Sequence, residues 1–281
     1  MRVGIIGLGL IGGSLAKALR ARGCAKYITS FGRNEAALKL ALADGVIDYY
    51  SLVVDESFAD LDYVFICTPV SEIVSFAKKL LPFLAERTVV TDVGSTKAKV
   101  CAEMESLPLK FIGGHPMAGS EKTGCTASRA DLFEGTRYIL TPGKNIPGED
   151  VDAFGELVKK LGAEPVIMPP EIHDSVAAAV SHAPHVAASA LVRAAKFLDT
   201  RPDERYTQKL AATGFKDTTR IAGGSPEMWT AICLSNRKHI MDAINALHQE
   251  LATFMVFLAG ENEAALLKYF KEAKEYRDGF E

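Results

Sequence analysis

Short apolar runs alternate with stretches of helical periodicity through the first 168 residues, after which helical periodicity stands alone. Apolar runs at 2–6, 27–31, 62–70, 88–93, 109–112, 138–140 and 164–168 read as buried strands. Helical patterns near 10–22, 70–84, 97–106 and 149–161 separate them. That alternation predicts an α/β, doubly wound sheet. From Glu171 onward no strand is expected. Apolar positions at helical spacing fill 171–199, 203–213, 226–235 and 236–272, broken by Gly214, Gly223-Gly224 and Pro226. Pro169-Pro170 is the natural boundary, giving expected domains of 1–168 and 169–281. An all-helical half of this kind must cover its apolar faces, and a second copy of itself is the commonest cover, so a homodimer is expected.

The loops that leave the strands carry the chemistry. After the first strand comes Gly7-Leu8-Gly9-Leu10-Ile11-Gly12 and then a helix start, which is G-x-G-x-x-G in the setting a dinucleotide needs. Gly7 is expected to make the turn, Gly9 to let a pyrophosphate approach, and Gly12 to let helix and strand pack closely. The second strand should end with the residue that reads the adenosine ribose. Here it runs into Gly32-Arg33-Asn34 with no acid, so nothing repels a 2′-phosphate and Arg33 can pair with one. NADP is therefore favoured, with NAD open because an arginine there can instead cover the adenine. Thr68-Pro69 and Asp92-Val93-Gly94-Ser95-Thr96-Lys97 leave neighbouring strand ends and should face the same crevice.

Charge and composition narrow the setting. A net charge of −3 gives no electrostatic case for nucleic acid or an anionic membrane. No apolar run is read as membrane-spanning. Five scattered cysteines without a CxxC pair suit a reducing cytoplasm and argue against a zinc site.

Three polar sets remain. Gly113-Gly114-His115-Pro116-Met117-Ala118-Gly119-Ser120-Glu121-Lys122-Thr123-Gly124 reads as an irregular loop just past a strand, where open sheets bind ligands. His115 there is either a site residue or a surface histidine bonded to a carbonyl. In Asp174…Ser181-His182-Ala183-Pro184-His185, positions 174, 181 and 185 share a helix face and Pro184 should bend the helix. Its histidines are poor metal candidates and could equally be satisfied groups at a kink or dimer seam. In Gly214-Phe215-Lys216-Asp217-Thr218-Thr219-Arg220, Asp217 and Arg220 could form a plain ion pair, or Arg220 could grip a carboxylate in bidentate fashion.

Taken together in chain order, Asp92–Lys97 and these three sets resemble the prephenate/arogenate dehydrogenase family of tyrosine biosynthesis, across nearly the whole chain. The resemblance implies a Rossmann domain followed by a helical dimerisation domain, with neither a fused mutase nor a regulatory domain. It implies that His115 is the catalytic residue at the C4 hydroxyl of a cyclohexadiene ring and that Ser95 shares that hydroxyl and orients His115. Arg220 would hold the ring carboxylate and His185 would shape the pocket. Glu121 and Asp217 would gate or polarise it, and Thr68 and Pro69 would lie along the nicotinamide ribose. No metal is implied. The rivals are another Rossmann-plus-helical dehydrogenase, of β-hydroxyacid or pyrroline-carboxylate type, and a catalytically silent NADP-binding sensor that docks a protein.

Overall fold

The computed structural model describes residues 1–119 and 124–280. Strands β1 (Arg2–Ile6), β2 (Tyr27–Phe31), β3 (Tyr49–Ser51), β4 (Tyr63–Ile66), β5 (Val89–Asp92), β6 (Lys110–Pro116), β7 (Arg137–Pro142) and β8 (Glu164–Ile167) form one sheet. Its order is β3-β2-β1-β4-β5-β6-β7-β8. β1 sits between β2 and β4, so the chain reverses direction across the sheet there, and a crevice opens at the carboxyl ends of β1 and β4. Helices α1 (Leu10–Ala21), α2 (Glu35–Ala43) and α5 (Gly148–Lys160) pack with Val3, Ile5, Ile28, Phe65 and Ile112 on one face. Helices α3 (Ile73–Leu80) and α4 (Ala98–Met104) cover Ile6, Val64, Ile66 and Val90 on the other. Successive residues of β1 and β4 thus feed opposite cores, the reason these runs are apolar throughout rather than alternating.

Two strand assignments differ from expectation. β3 was not anticipated, because three residues carry too short a pattern. More consequentially, Gly113–Pro116 is not loop. It continues β6 and pairs antiparallel with β7, Gly114 opposite Leu140 and His115 opposite Ile139. The glycines serve close approach rather than turning. A Cβ on Gly113 would collide with Thr141 Oγ1, and one on Gly114 with the Asp92 carbonyl. The connection from β6 to β7 has no crossover α-helix among its described residues, and β7 returns antiparallel to β6, so β7 and β8, parallel to each other, run opposite to β1–β6.

The second half is helical: α6 (Pro170–Ala177), α7 (Ala183–Leu198), α8 (Tyr206–Leu210), α9 (Thr213–Thr219), α10 (Pro226–Ser235), α11 (Arg237–Ala259) and α12 (Glu263–Arg277). Gly214 lies inside α9 instead of breaking the pattern. The expected 236–272 helix is two, parted at Gly260-Glu261-Asn262, where Glu261 is left-handed (φ 48°) and the Asn262 side chain caps α12. Pro184 was expected to bend its helix. The irregularity lies just before it, a π-helical turn at Ala178–His182 in which the Ala183 N–H reaches back to the Ala178 carbonyl. Around that turn Pro170–Leu198 runs as 29 helical residues, and an 18-residue window of it reaches a mean hydropathy of 1.3, enough by length and composition alone for a membrane span. Alanines raise the mean without an uninterrupted apolar run. The inner side of this stretch is polar, with His173, Asp174, His182 and His185 all buried.

Candidate active site

The nucleotide cradle has the geometry its glycines require. Gly7 is left-handed at φ 98°, a conformation that favours glycine. A Cβ on Gly12 would strike the Gly7 carbonyl, whereas a Cβ on Gly9 would meet nothing within 4 Å. So Gly12 closes helix on strand and Gly9, capping α1, leaves open space beside the free N–H groups of the first helical turn. Beside it, at the carboxyl end of β4, the Thr68 hydroxyl is buried with no partner. An open cradle at a helix start and an orphaned hydroxyl fit a dinucleotide lying across the β1–β4 crevice. Pro69 leads from β4 into the turn before α3. Arg33 follows β2 with its side chain exposed, and its Nη1 lies 3.9 Å from Glu72 Oε1.

Next along the sheet, Asp92 ends β5 fully buried and ties the loop that follows it to β6. Its Oδ2 accepts from the Gly94 N–H at 2.8 Å and its Oδ1 from the Gly114 N–H at 3.1 Å, while Lys97, also fully buried, forms an ion pair with it. Ser95 and His115 are each one residue from those anchors. The carboxyl ends of β1, β4, β5 and β6 therefore present the glycine turn, Thr68, Ser95 and His115 side by side.

The helical half supplies the opposite wall. His115 is 7% exposed, and its Nδ1 lies 2.8 Å from His173 Nε2; His173 Nδ1 lies 2.8 Å from Asp174 Oδ1. Burial, then the neighbouring His173, Lys97 and His182, hold the His115 imidazole well below its ordinary pKa, so it is neutral at physiological pH. Asp174 goes the other way. Burial would raise its pKa, but hydrogen bonds from His173 and from the Lys97 and Ala98 N–H groups outweigh it and keep the carboxylate charged. Asn236, at the α10–α11 junction, donates to the Asp174 carbonyl at 2.7 Å and faces His182 Nδ1 at 3.2 Å; its Oδ1 faces His239 Nδ1 at 2.9 Å. With both amide hydrogens committed, Asn236 makes His182 Nδ1 an acceptor, and the proton sits on Nε2. Burial brings the His182 pKa down to about 4.

His185 stacks on Trp229 with ring centroids 3.5 Å apart and planes at 14°, and burial lowers its pKa too. His185 Nδ1 is buried without a partner, whereas the His182 ring faces the Ser95 carbonyl. An orphaned imidazole nitrogen on a ring stacked against an indole is what a polar ligand would satisfy. The turn after α9 brings Arg220 to this wall: it packs on α7, and a Cβ on Gly224 would touch Trp229 and His185. Arg220 and Asp217 are both exposed. Glu121 lies outside the described residues.

His115, Ser95, His185 and the Arg220 segment thus converge from four separate elements. The residue tied to His115 is His173, a position left unassigned in the sequence, while the Ser95 carbonyl faces His182. Of the helix face read as 174, 181 and 185, Asp174 and His185 are buried, but Ser181 is half-buried and His182 takes the inner position. His173 and Asn236 were the residues missed. The adjacency of His173 to Asp174 was the one available signal, whereas nothing near Asn236 distinguished it.

Comparison with known proteins settles the family. Residues 15–167 match the family described as prephenate dehydrogenase, nucleotide-binding domain, and residues 169–272 its dimerization domain. The chain belongs to the prephenate dehydrogenase family. It is 38% identical to prephenate dehydrogenase of Bacillus subtilis, over 98% of this chain and 75% of that protein. A crystal structure of the Aquifex aeolicus prephenate dehydrogenase, in complex with hydroxyphenyl propionate and NAD+, superposes with a TM-score of 0.93 at 36% identity, covering 100% of this chain and 99% of that one. The Synechocystis arogenate dehydrogenase follows with a TM-score of 0.86 at 29% identity over the whole of both chains.

Proposed function

We propose that this chain oxidises the C4 carbinol of prephenate, arogenate or both, with loss of the C1 carboxylate as CO2, to give 4-hydroxyphenylpyruvate or tyrosine. The observation that carries this reading is a buried, neutral His115 at a strand end beside an open dinucleotide cradle, held by a hydrogen bond to the helical half. A bound nicotinamide dinucleotide supplies the hydride acceptor. His115 takes the hydroxyl proton as the carbinol becomes a carbonyl, which a neutral imidazole within hydrogen-bond reach can do. Ser95 bonds the same hydroxyl. Arg220 holds a carboxylate through its planar fork, and His185 on Trp229 forms one wall, with Asp217 and Glu121 gating or polarising the site. Decarboxylation restores aromaticity and draws the reaction forward.

Residues 1–168 form the cofactor domain in this reading, with Gly7 to Gly12, Thr68 and Pro69 along the dinucleotide. Residues 169–281 form the substrate and dimerisation domain of a homodimer. The absence of an acid at the end of β2 and the exposed Arg33 support NADP over NAD, and five free cysteines support a cytoplasmic setting. Initial rates of NADP+ and NAD+ reduction with prephenate and with arogenate test all of this. Turnover of at least one substrate is expected, with a higher kcat/KM for NADP+; no reduced cofactor with either substrate would refute the reading.

A further inference from the structure

We infer that Asp174 and His173 are positioning residues that decide which nitrogen of His115 carries the proton. The inference rests on His115 being the base of the proposed reaction. Asp174, as a carboxylate, can only accept. Its Oδ1 receives the Lys97 N–H at 2.7 Å and its Oδ2 the Ala98 N–H at 2.9 Å, and Oδ1 also lies 2.8 Å from His173 Nδ1. His173 Nδ1 must therefore bear hydrogen, because a lone pair there would point at the anion. In the neutral ring His173 Nε2 is then an acceptor, so the partner atom across the 2.8 Å contact, His115 Nδ1, is a donor. The lone pair of His115 is left on Nε2.

That order has a chemical consequence. When the carbinol proton moves, its O–H bond breaks and an Nε2–H bond forms on His115; no other proton has to move. The new imidazolium is opposed by Lys97, from the loop after β5, and disfavoured by burial and by His173 and His182. The Asp174 carboxylate acting through His173 is a counterweight to that charge, beside Asp92, which pairs with Lys97 and accepts from the Gly114 N–H. The charge of Asp174 is anchored by the two N–H groups, so it holds the chain of rings in one order instead of accepting the proton itself.

The test uses full-length protein with 15N-labelled histidine. At neutral pH the wild type should show His115 protonated at Nδ1 and bare at Nε2. In Asp174→Asn, which keeps one acceptor oxygen for the loop, that pattern should mix or reverse. The value of kcat should fall by ~10²–10⁴ with dinucleotide affinity unchanged, and the acid limb of the kcat–pH profile should move to lower pH. His173→Gln leaves the Asp174 backbone bonds in place and should give the same result, so it carries the test if the first variant does not fold. An unchanged His115 tautomer with kcat within about threefold of wild type would overturn the inference. A protein inactive on both substrates that still shows the tautomer change would sink the proposed function and leave only the proton placement on His115 standing.

Discussion

The two halves of the chain differ in how completely they bury themselves. The sheet half has a filled core on each face, with side chains such as Phe65, Phe154 and Ile66 wholly enclosed. In the helical half the buried apolar cluster is Ala178, Ile232 and Ile240, while Phe197 is 88% exposed, Leu234 72% and Leu267 70%. A solitary domain does not leave so much apolar surface in water. The comparison teaches that the first half encloses its apolar side chains by its own packing, while the second, matched as a dimerization domain, leaves much apolar surface for a partner to cover. The site straddles this divide, because His115 belongs to the sheet and His173 to the helices.

Four measurements sharpen or break that contrast. The largest effect is expected from His115→Asn, which should lower kcat by ~10²–10⁴ while melting temperature and dinucleotide Kd stay near wild type. A matching loss of stability would mean that the sheet half depends on the histidine chain for its fold. In the helical half, a Val256→Glu/Leu267→Glu double substitution should shift the protein from dimer to monomer in light scattering and lower Tm by several degrees. A dimer of unaltered mass and Tm would place the interface elsewhere. Arg220→Ala should raise KM roughly 10–100-fold with little change in kcat, the worth of a charge-assisted carboxylate contact; KM unchanged with a lower Tm would make it structural.

The last measurement concerns pH. His115 and His182 are depressed in the folded protein, the latter to about 4, whereas in the unfolded chain they titrate near 6.5. The unfolded state thus binds more protons on the acid side, and stability falls as pH drops below about 6.5, by up to ~1.4 kcal/mol per pH unit for each group, until the folded-state pKa is reached. Urea denaturation at stepped pH checks this. A stability that is flat between pH 6.5 and 5 would show that the histidines are not held neutral.

Legibility from sequence followed the same divide. The glycine turn was readable because Gly7 is required by its left-handed backbone and Gly12 by its close approach to the Gly7 carbonyl, and their fixed spacing survives in one dimension. Gly113 and Gly114 were misread because glycine chosen for contact between strands looks the same in sequence as glycine chosen for a turn. His115 was legible only by its company of residues and by the family it resembles. The partners that tune it were not, since His173 and Asn236 act through contacts 58 and 62 residues apart in the chain. Pairings at that separation leave no periodicity to read.

The π turn at Ala178–His182 has a consequence for how this helix can vary. One surplus residue rotates everything after it by about 100° relative to a regular α-helix. Side chains in that turn can be exchanged while the rotation persists, but deleting a single residue would swing the ring of His185 off the indole of Trp229. Length there is held more strictly than identity.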